Sequence, residues 1–313
     1  MRVAVVDIGT NSTRLLIADV ASDGALTELE RESIVTRLGD KVDANGHLGD
    51  AAMRRVFDTL ARFRELIDQH DVSATTAVLT SAVRDAANGP DFTQQVRERF
   101  DLEARTIGGD EEAALTFAGA TSERPTNGAE VVVVDIGGGS TEFVVGRQPG
   151  EITFHVSTQA GVVRQTERHL HDDPPPPEGV QQLAHETQEI FIDAIPLDVR
   201  ERVSSAIAVA GTATSCAAIE LELEPYDSER VHGHVLELAT CELLLARLAQ
   251  MTNDERRQVT GLRPDRAPTI VAGVAMLIEA MRAFGLEQVE VSEHDILRGT
   301  ALGLAQRSPQ RSV

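Results

Sequence analysis

Tryptophan is absent from this chain, tyrosine occurs once, and aromatic residues make up only 3% of the whole. Stacking platforms for nucleic-acid bases are therefore scarce. Positive charge is also short: 29 Lys and Arg stand against 50 Asp and Glu, a formal net charge of −21. A broad surface for duplex nucleic acid needs a basic patch and is excluded on that count. Lys41 is the only lysine. No Gly-x-x-x-x-Gly-Lys-Ser/Thr run exists, so a P-loop has no catalytic lysine and any fixed cation in a site must be arginine. The two cysteines, Cys216 and Cys241, are too few for a disulfide framework or a Cys-x-x-Cys metal site, and their apolar surroundings read as small buried hydrophobes. No apolar run is long enough to span a bilayer, and no small-residue cleavage site follows the strand-like start. The expectation is a cytoplasmic protein with no membrane partner.

What remains is the balance of a soluble enzyme, with 42% hydrophobic and 25% charged residues in 313, enough for two cores. The most informative feature is an internal repeat. Val3-Ala-Val-Val-Asp7-Ile-Gly9-Thr-Asn-Ser12-Thr13-Arg-Leu-Leu-Ile17 reads against Val131-Val-Val-Val-Asp135-Ile-Gly137-Gly-Gly-Ser140-Thr141-Glu-Phe-Val-Val145, and eight of the fifteen positions are identical. Each copy reads as a buried strand, a polar turn and a second strand, so a domain is duplicated. Between and after the copies, helix and strand alternate. Helices are expected over about 49–70, 90–100, from 110, and near 213–222, 239–251 and 267–284, with a last one from about 295. Strands are expected at 74–80, to 107, at 152–158, 205–210 and 289–292. Asp172 to Glu178 is a proline-rich loop that launches a helix, and Ser122–Gly128 is a turn before the second hairpin. The fold class is α/β, with mixed sheets flanked by helices.

The turns carry the chemistry. Gly9, Thr10, Asn11 and Ser12 let backbone N–H groups converge on an anion, with side-chain donors beside them. A plain hairpin turn is the alternative, and the second copy weakens it. Gly137, Gly138 and Gly139 before Ser140 cost backbone entropy that an ordinary hairpin has no use for. Asp135 and Glu142 are carboxylates suited to hold Mg²⁺ (or Mn²⁺), although a lone Glu is more often solvent-facing. For Asp7, a structural hydrogen bond is as good a reading as a metal ligand. Gly211 and Thr212 stand where a strand passes into a helix, a place that favours an anion, while Thr212 also reads as a simple N-cap.

Taken together, the two hairpins resemble the phosphate loops of the exopolyphosphatase/guanosine pentaphosphate phosphatase family, of the actin-like superfamily. Thr80–Asn88, Gly108-Gly-Asp-Glu111-Glu112-Ala, Val231-His-Gly-His234, Arg263-Pro-Asp-Arg266 and Leu297-Arg298-Gly299 match in order, over nearly the whole chain to about residue 307. The resemblance implies two actin-like (ribonuclease H-like) domains, 1–112 plus about 296–313 and 113–295, with the active site in the interdomain cleft. It makes Glu112 the general base, with Glu111 the adjacent alternative and a helix-surface pair the bland reading of both, and Arg84 a phosphate-neutralising group whose bland alternative is a surface ion pair with Asp85 or a nearby acid. It implies magnesium-dependent release of orthophosphate from inorganic polyphosphate, with short chains favoured. Guanosine pentaphosphate is the alternative substrate; an actin-like ATPase, a sugar kinase or a silent phosphate sensor stand behind it. A homodimer is the family expectation. His232 and His234 resemble a metal-ligand pair, but no third ligand lies at suitable spacing, which favours a structural or substrate-channel role. Arg263 and Arg266 either line the phosphate path or anchor the helix that follows.

Overall fold

Arg2–Ile8 and Val131–Ile136 are valine-rich runs buried along almost their whole length, which suits strands covered on both faces. In a computed structural model describing residues 1–124, 128–148 and 150–307, both are central strands. The chain forms two compact units, one of Met1–Ser122 with the C-terminal segment from Ile296, the other of Glu123–Asp295.

The first unit holds β1 (Arg2–Ile8), β2 (Ser12–Val20), β3 (Leu26–Val35), β4 (Ala74–Leu79) and β5 (Ala104–Thr106), in the order β3-β2-β1-β4-β5. The first three strands are antiparallel, and β4 and β5 run parallel to β1. Alternation along β1 sends Ala4, Val6 and Ile8 to one face, against Val56, Leu60, Phe63 and Ile67 of helix Asp50–Gln69. Each of these helix residues is buried at a gain of about 1.5–3 kcal/mol. Val3 and Val5 face the other way, onto Leu297 and Ala301 of helix Ile296–Arg307.

The second unit holds β6 (Val131–Ile136), β7 (Thr141–Arg147), β8 (Glu151–Thr158), β9 (Ala206–Val209), β10 (Val235–Glu237) and β11 (Gln288–Val291), ordered β10-β11-β9-β6-β7-β8. Here too the hairpin strands are antiparallel, and β9 and β11 follow in parallel on the other side of the first strand. The duplication therefore extends from a fifteen-residue repeat to five strands in one order. Val132, Val134, Ile136, Phe143 and Val145 pack into a core closed by helices Pro177–Ala194, Ala210–Glu220 and Ile270–Ala283.

The α/β class with two mixed, helix-flanked sheets is as expected. The first crossing between units differs, falling after Ser122 rather than at 112. Helix Gly109–Thr121 stays with the first unit because it packs tightly on helix Ile296–Arg307; a Cβ at Gly299 would meet the Leu115 carbonyl oxygen at 1.8 Å. β3 was not among the expected strands. Of the turn expected over Ser122–Gly128, residues 125–127 lie outside the described residues.

Candidate active site

In the first unit the β1–β2 turn is braced from outside. The Gly9 N–H donates to the Ser12 carbonyl at 3.0 Å, and a Cβ at Gly9 would meet that oxygen at 3.1 Å. The Thr10 carbonyl accepts from Gly39 N–H at 2.8 Å, and the Asn11 carbonyl accepts from Thr36 and Arg37. In a trans peptide the next N–H points opposite to the carbonyl. Tying these carbonyls outward thus turns the Asn11 and Ser12 N–H groups the other way, the arrangement of an anion nest. Thr10 and Asn11 are buried, and Thr10 Oγ1 accepts from the Ala82 N–H at 3.2 Å. That bond joins the turn to helix Ser81–Asp85, which carries Arg84.

Arg84 does pair with a nearby acid, but the acid is Glu112 rather than Asp85 and it is buried. Arg84 Nη1 donates to Glu112 Oε2 at 2.9 Å and to the Ile107 carbonyl at 3.1 Å. Glu112 is 7% exposed in the first turn of helix Gly109–Thr121. Burial raises its pKa above the ordinary carboxylate value; Arg84 opposes the shift, and the charges of Asp7 and Asp85 add to it. Glu111, one residue earlier, bonds Arg105 at 2.5 Å and is far more exposed. The Asp7 loop, Arg84 and Glu112 thus meet within one unit, and Glu112 is the buried one of the two adjacent acids.

The second unit repeats the turn with other contents. Gly137 N–H donates to the Ser140 carbonyl at 3.0 Å, and a Cβ at Gly137 would meet that oxygen at 3.1 Å, as in the first copy. Helix Val162–His169 takes the loop carbonyls: Val162 N–H bonds Gly137, Val163 N–H bonds Gly138, and Arg164 Nε bonds Gly139, at 2.9, 2.9 and 3.0 Å. By the same peptide geometry, the Gly138, Gly139 and Ser140 N–H groups point away from that helix, three in a row. A Cβ at Gly161 would lie 2.4 Å from Gly138 and Gly139, so the close approach needs glycine on both sides.

The two hairpins differ at one cross-strand pair. Register sets Asp7 opposite Arg14 and Asp135 opposite Glu142. In the first copy Arg14 Nη2 lies 2.6 Å from Asp7 Oδ2 and Nε lies 2.9 Å away, so the charge of Asp7 is balanced within the hairpin. The second copy faces acid with acid, and opposed like charges destabilise a strand pair. Glu142 is buried at 3% exposure, not solvent-facing, and its Oε1 accepts from Ser157 Oγ at 2.7 Å. Two adjacent carboxylates of this kind supply the hard oxygen donors that Mg²⁺ takes, so the residues present fit such an ion.

At the third turn, helix Ala210–Glu220 has Val209 as N-cap, and Thr212 is inside the helix and buried, so the capping reading fails. Ala210 adopts φ 63°, a strained conformation for alanine. The Arg266 guanidinium lies where a Cβ on Gly211 would stand, and Arg263 bonds Asp265 at 2.7 Å. Of the histidine pair, His234 Nε2 contacts Glu220 at 2.7 Å, while His232 stacks on His294 with ring centroids 4.1 Å apart. Sequence reasoning missed Arg14, Gly161, Arg164 and the position of Arg266. Arg14 alone carried a signal, since it aligns with Glu142 in the repeat.

Fold and loops together define a duplicated α/β protein with an anion-ready turn in each half and a buried, arginine-held carboxylate in the first. The chain belongs to the Ppx/GppA phosphatase family, whose model matches residues 16–307. It is 37% identical to exopolyphosphatase 2 of Mycobacterium tuberculosis, over 97% of this chain and 98% of that one. It is 31% identical to a bifunctional 3-dehydroquinate synthase/phosphatase of Fusobacterium nucleatum, covering 96% of this chain and 46% of that protein. Among solved structures, an exopolyphosphatase-like protein superposes with a TM-score of 0.91 at 30% identity, covering 98% and 99% of the two chains. A Ppx/GppA family member from Aquifex aeolicus gives 0.80 at 30% identity with the same coverage. The chain is thus homologous to exopolyphosphatases, which are phosphoanhydride hydrolases.

Proposed function

We propose that this chain is an exopolyphosphatase that hydrolyses the terminal phosphate of inorganic polyphosphate, with short chains preferred, in the presence of Mg²⁺. The observation that carries the reading is Glu112, a buried carboxylate with raised proton affinity, held by Arg84 beside an anion-ready turn. A carboxylate so placed is a better base near neutral pH than an exposed one.

In the proposed reaction, water adds its oxygen to the terminal phosphorus as Glu112 accepts its proton. The phosphoanhydride P–O bond breaks, and its electron pair leaves with the shortened chain. Orthophosphate departs and the proton passes to solvent. Arg84 holds Glu112 in one orientation and offsets charge nearby, while the N–H groups of the Gly9–Ser12 and Gly137–Ser140 turns hold phosphate oxygens. Such a reaction has a loose transition state, so positioning and charge neutralisation do most of the work. Asp135 and Glu142 would hold Mg²⁺, which supplies neutralisation of phosphate charge when bound. Arg266 adds a fixed cation at the Gly211 turn.

The test is phosphate release, with Mg²⁺, from short polyphosphate, long polyphosphate, guanosine pentaphosphate and ATP. The proposal expects the highest kcat/KM on short polyphosphate. Preference for guanosine pentaphosphate would assign the other activity in the family name, and turnover of ATP alone would sink both.

A further inference from the structure

His232, His294 and Glu123 are far apart in sequence, yet each offers a ligand atom within 4.8 Å of the others. Glu123 Oε2 is 3.9 Å from His294 Nδ1, and the two imidazoles are tilted 36° to each other. Both histidines are half-buried and the carboxylate is exposed. Backbone bonds position the rings. His232 N–H closes the short helix Ser228–Val231 onto the Ser228 carbonyl at 2.9 Å, and its Nδ1 accepts from Glu293 N–H at 3.3 Å. Ser292 Oγ accepts from His294 N–H at 3.0 Å and donates to the His294 carbonyl at 3.1 Å. Glu123 is the first residue of the second unit, and His294 is the last but one.

We propose that Glu123, His232 and His294 form a binding site for one transition-metal dication of the zinc class, with water in the remaining position. Imidazole nitrogen suits zinc, cobalt and nickel, whereas magnesium prefers oxygen alone. The donor set is therefore chemically distinct from the all-oxygen pair Asp135 and Glu142. Two histidines and a glutamate are a known zinc donor set that leaves one position open. Metal–ligand bonds of about 2.0–2.1 Å at tetrahedral angles place neighbouring donors roughly 3.3 Å apart. The Glu123–His294 separation exceeds that by little, and rotation of the exposed Glu123 side chain closes the difference. Once occupied, the site ties the segment where the chain enters the second unit to the segment where it leaves. His234, directed to Glu220, takes no part.

The experiment uses full-length protein stripped of metal and titrated with Co²⁺ in excess Mg²⁺, which keeps all-oxygen sites filled. One Co²⁺ per chain is expected, with the visible bands of a nitrogen-ligated ion. H232A and H294A should each bind at least tenfold more weakly, E123Q should fall between them and wild type, and H234A should bind as wild type does. Circular dichroism checks that each variant folds, and the glutamine variant at the same position replaces any alanine variant that does not. Unchanged cobalt binding in both histidine variants, dependence on His234 instead, or no visible bands at saturating Co²⁺ would each overturn the proposal and leave a stacked histidine pair only.

Discussion

Glu112 is held by two opposed forces: burial favours its protonated form, and Arg84 favours its charged one. Because the folded pKa is raised, the native state binds that proton more tightly than the unfolded chain does. Stability therefore falls as pH rises from the ordinary carboxylate value through the raised one, and at neutral pH the ionised group is a cost. Glu112→Gln mimics the protonated form. Its melting temperature at pH 7.5 should equal or exceed that of wild type, with the gap closing below about pH 4. Its kcat should drop by about 10²–10⁴ if Glu112 is the base. Full activity in the folded variant would reject that role. Arg84→Ala removes the group that opposes the shift, so the acid limb of its kcat/KM profile should move to higher pH. A limb that stays in place would separate Arg84 from the base. The family resemblance put Glu112 ahead of Glu111, but the two residues by themselves could not be ranked. Which of two neighbours faces inward depends on how helix Gly109–Thr121 seats against its own unit, a matter of long-range packing.

At the scale of elements, the two hairpins share a turn and differ in the charge that faces Asp7 or Asp135. The first balances its acid internally with Arg14, and the second has Glu142 in that place. If Mg²⁺ binds Asp135 and Glu142, it should raise the melting temperature of wild type. A ligand at a hundred times its Kd adds about 2.7 kcal/mol, worth roughly 2–4 °C per kcal/mol in a unit of this size. Glu142→Gln should lose that response and be no less stable without the ion; a Mg²⁺ shift that survives the substitution would place the ion elsewhere. Gly161→Ala is the corresponding test of the loop, since the new Cβ must push Gly138 and Gly139 aside. About a tenfold or greater loss of kcat/KM is expected, against little change for Gly49→Ala, where nothing lies within 4 Å. Both hairpins were legible because an uninterrupted apolar strand beside a glycine turn is a strong local pattern. β3 was not, because Leu26–Val35 is a polar, partly exposed edge whose only argument for strand is its pairing with β2.

Over the whole molecule, a net charge of −21 repels any polyphosphate. Screening should therefore speed encounter, so kcat/KM at fixed Mg²⁺ should rise with added monovalent salt toward about 0.15 M. A fall would mean that a locally positive field outweighs the total. Cys216 and Cys241 are buried, with the Cys241 thiol pushed up to about 12, so neither should react with a thiol reagent until the chain unfolds. Composition made the charge and the inert thiols legible. It could not bring Glu123 and His294 to His232, because nothing local links positions so far apart. The placement of helix Ile296–Arg307 bears on how the protein is made. Val3, Val5, Leu16 and Ala18 leave the ribosome before the second unit, and the face they form is closed by Leu297 and Ala301, which leave after it. The second unit is continuous in sequence and can fold while that face still waits. During synthesis the early half is thus the late folder, and for that interval its open sheet is the part of the chain most in need of a chaperone.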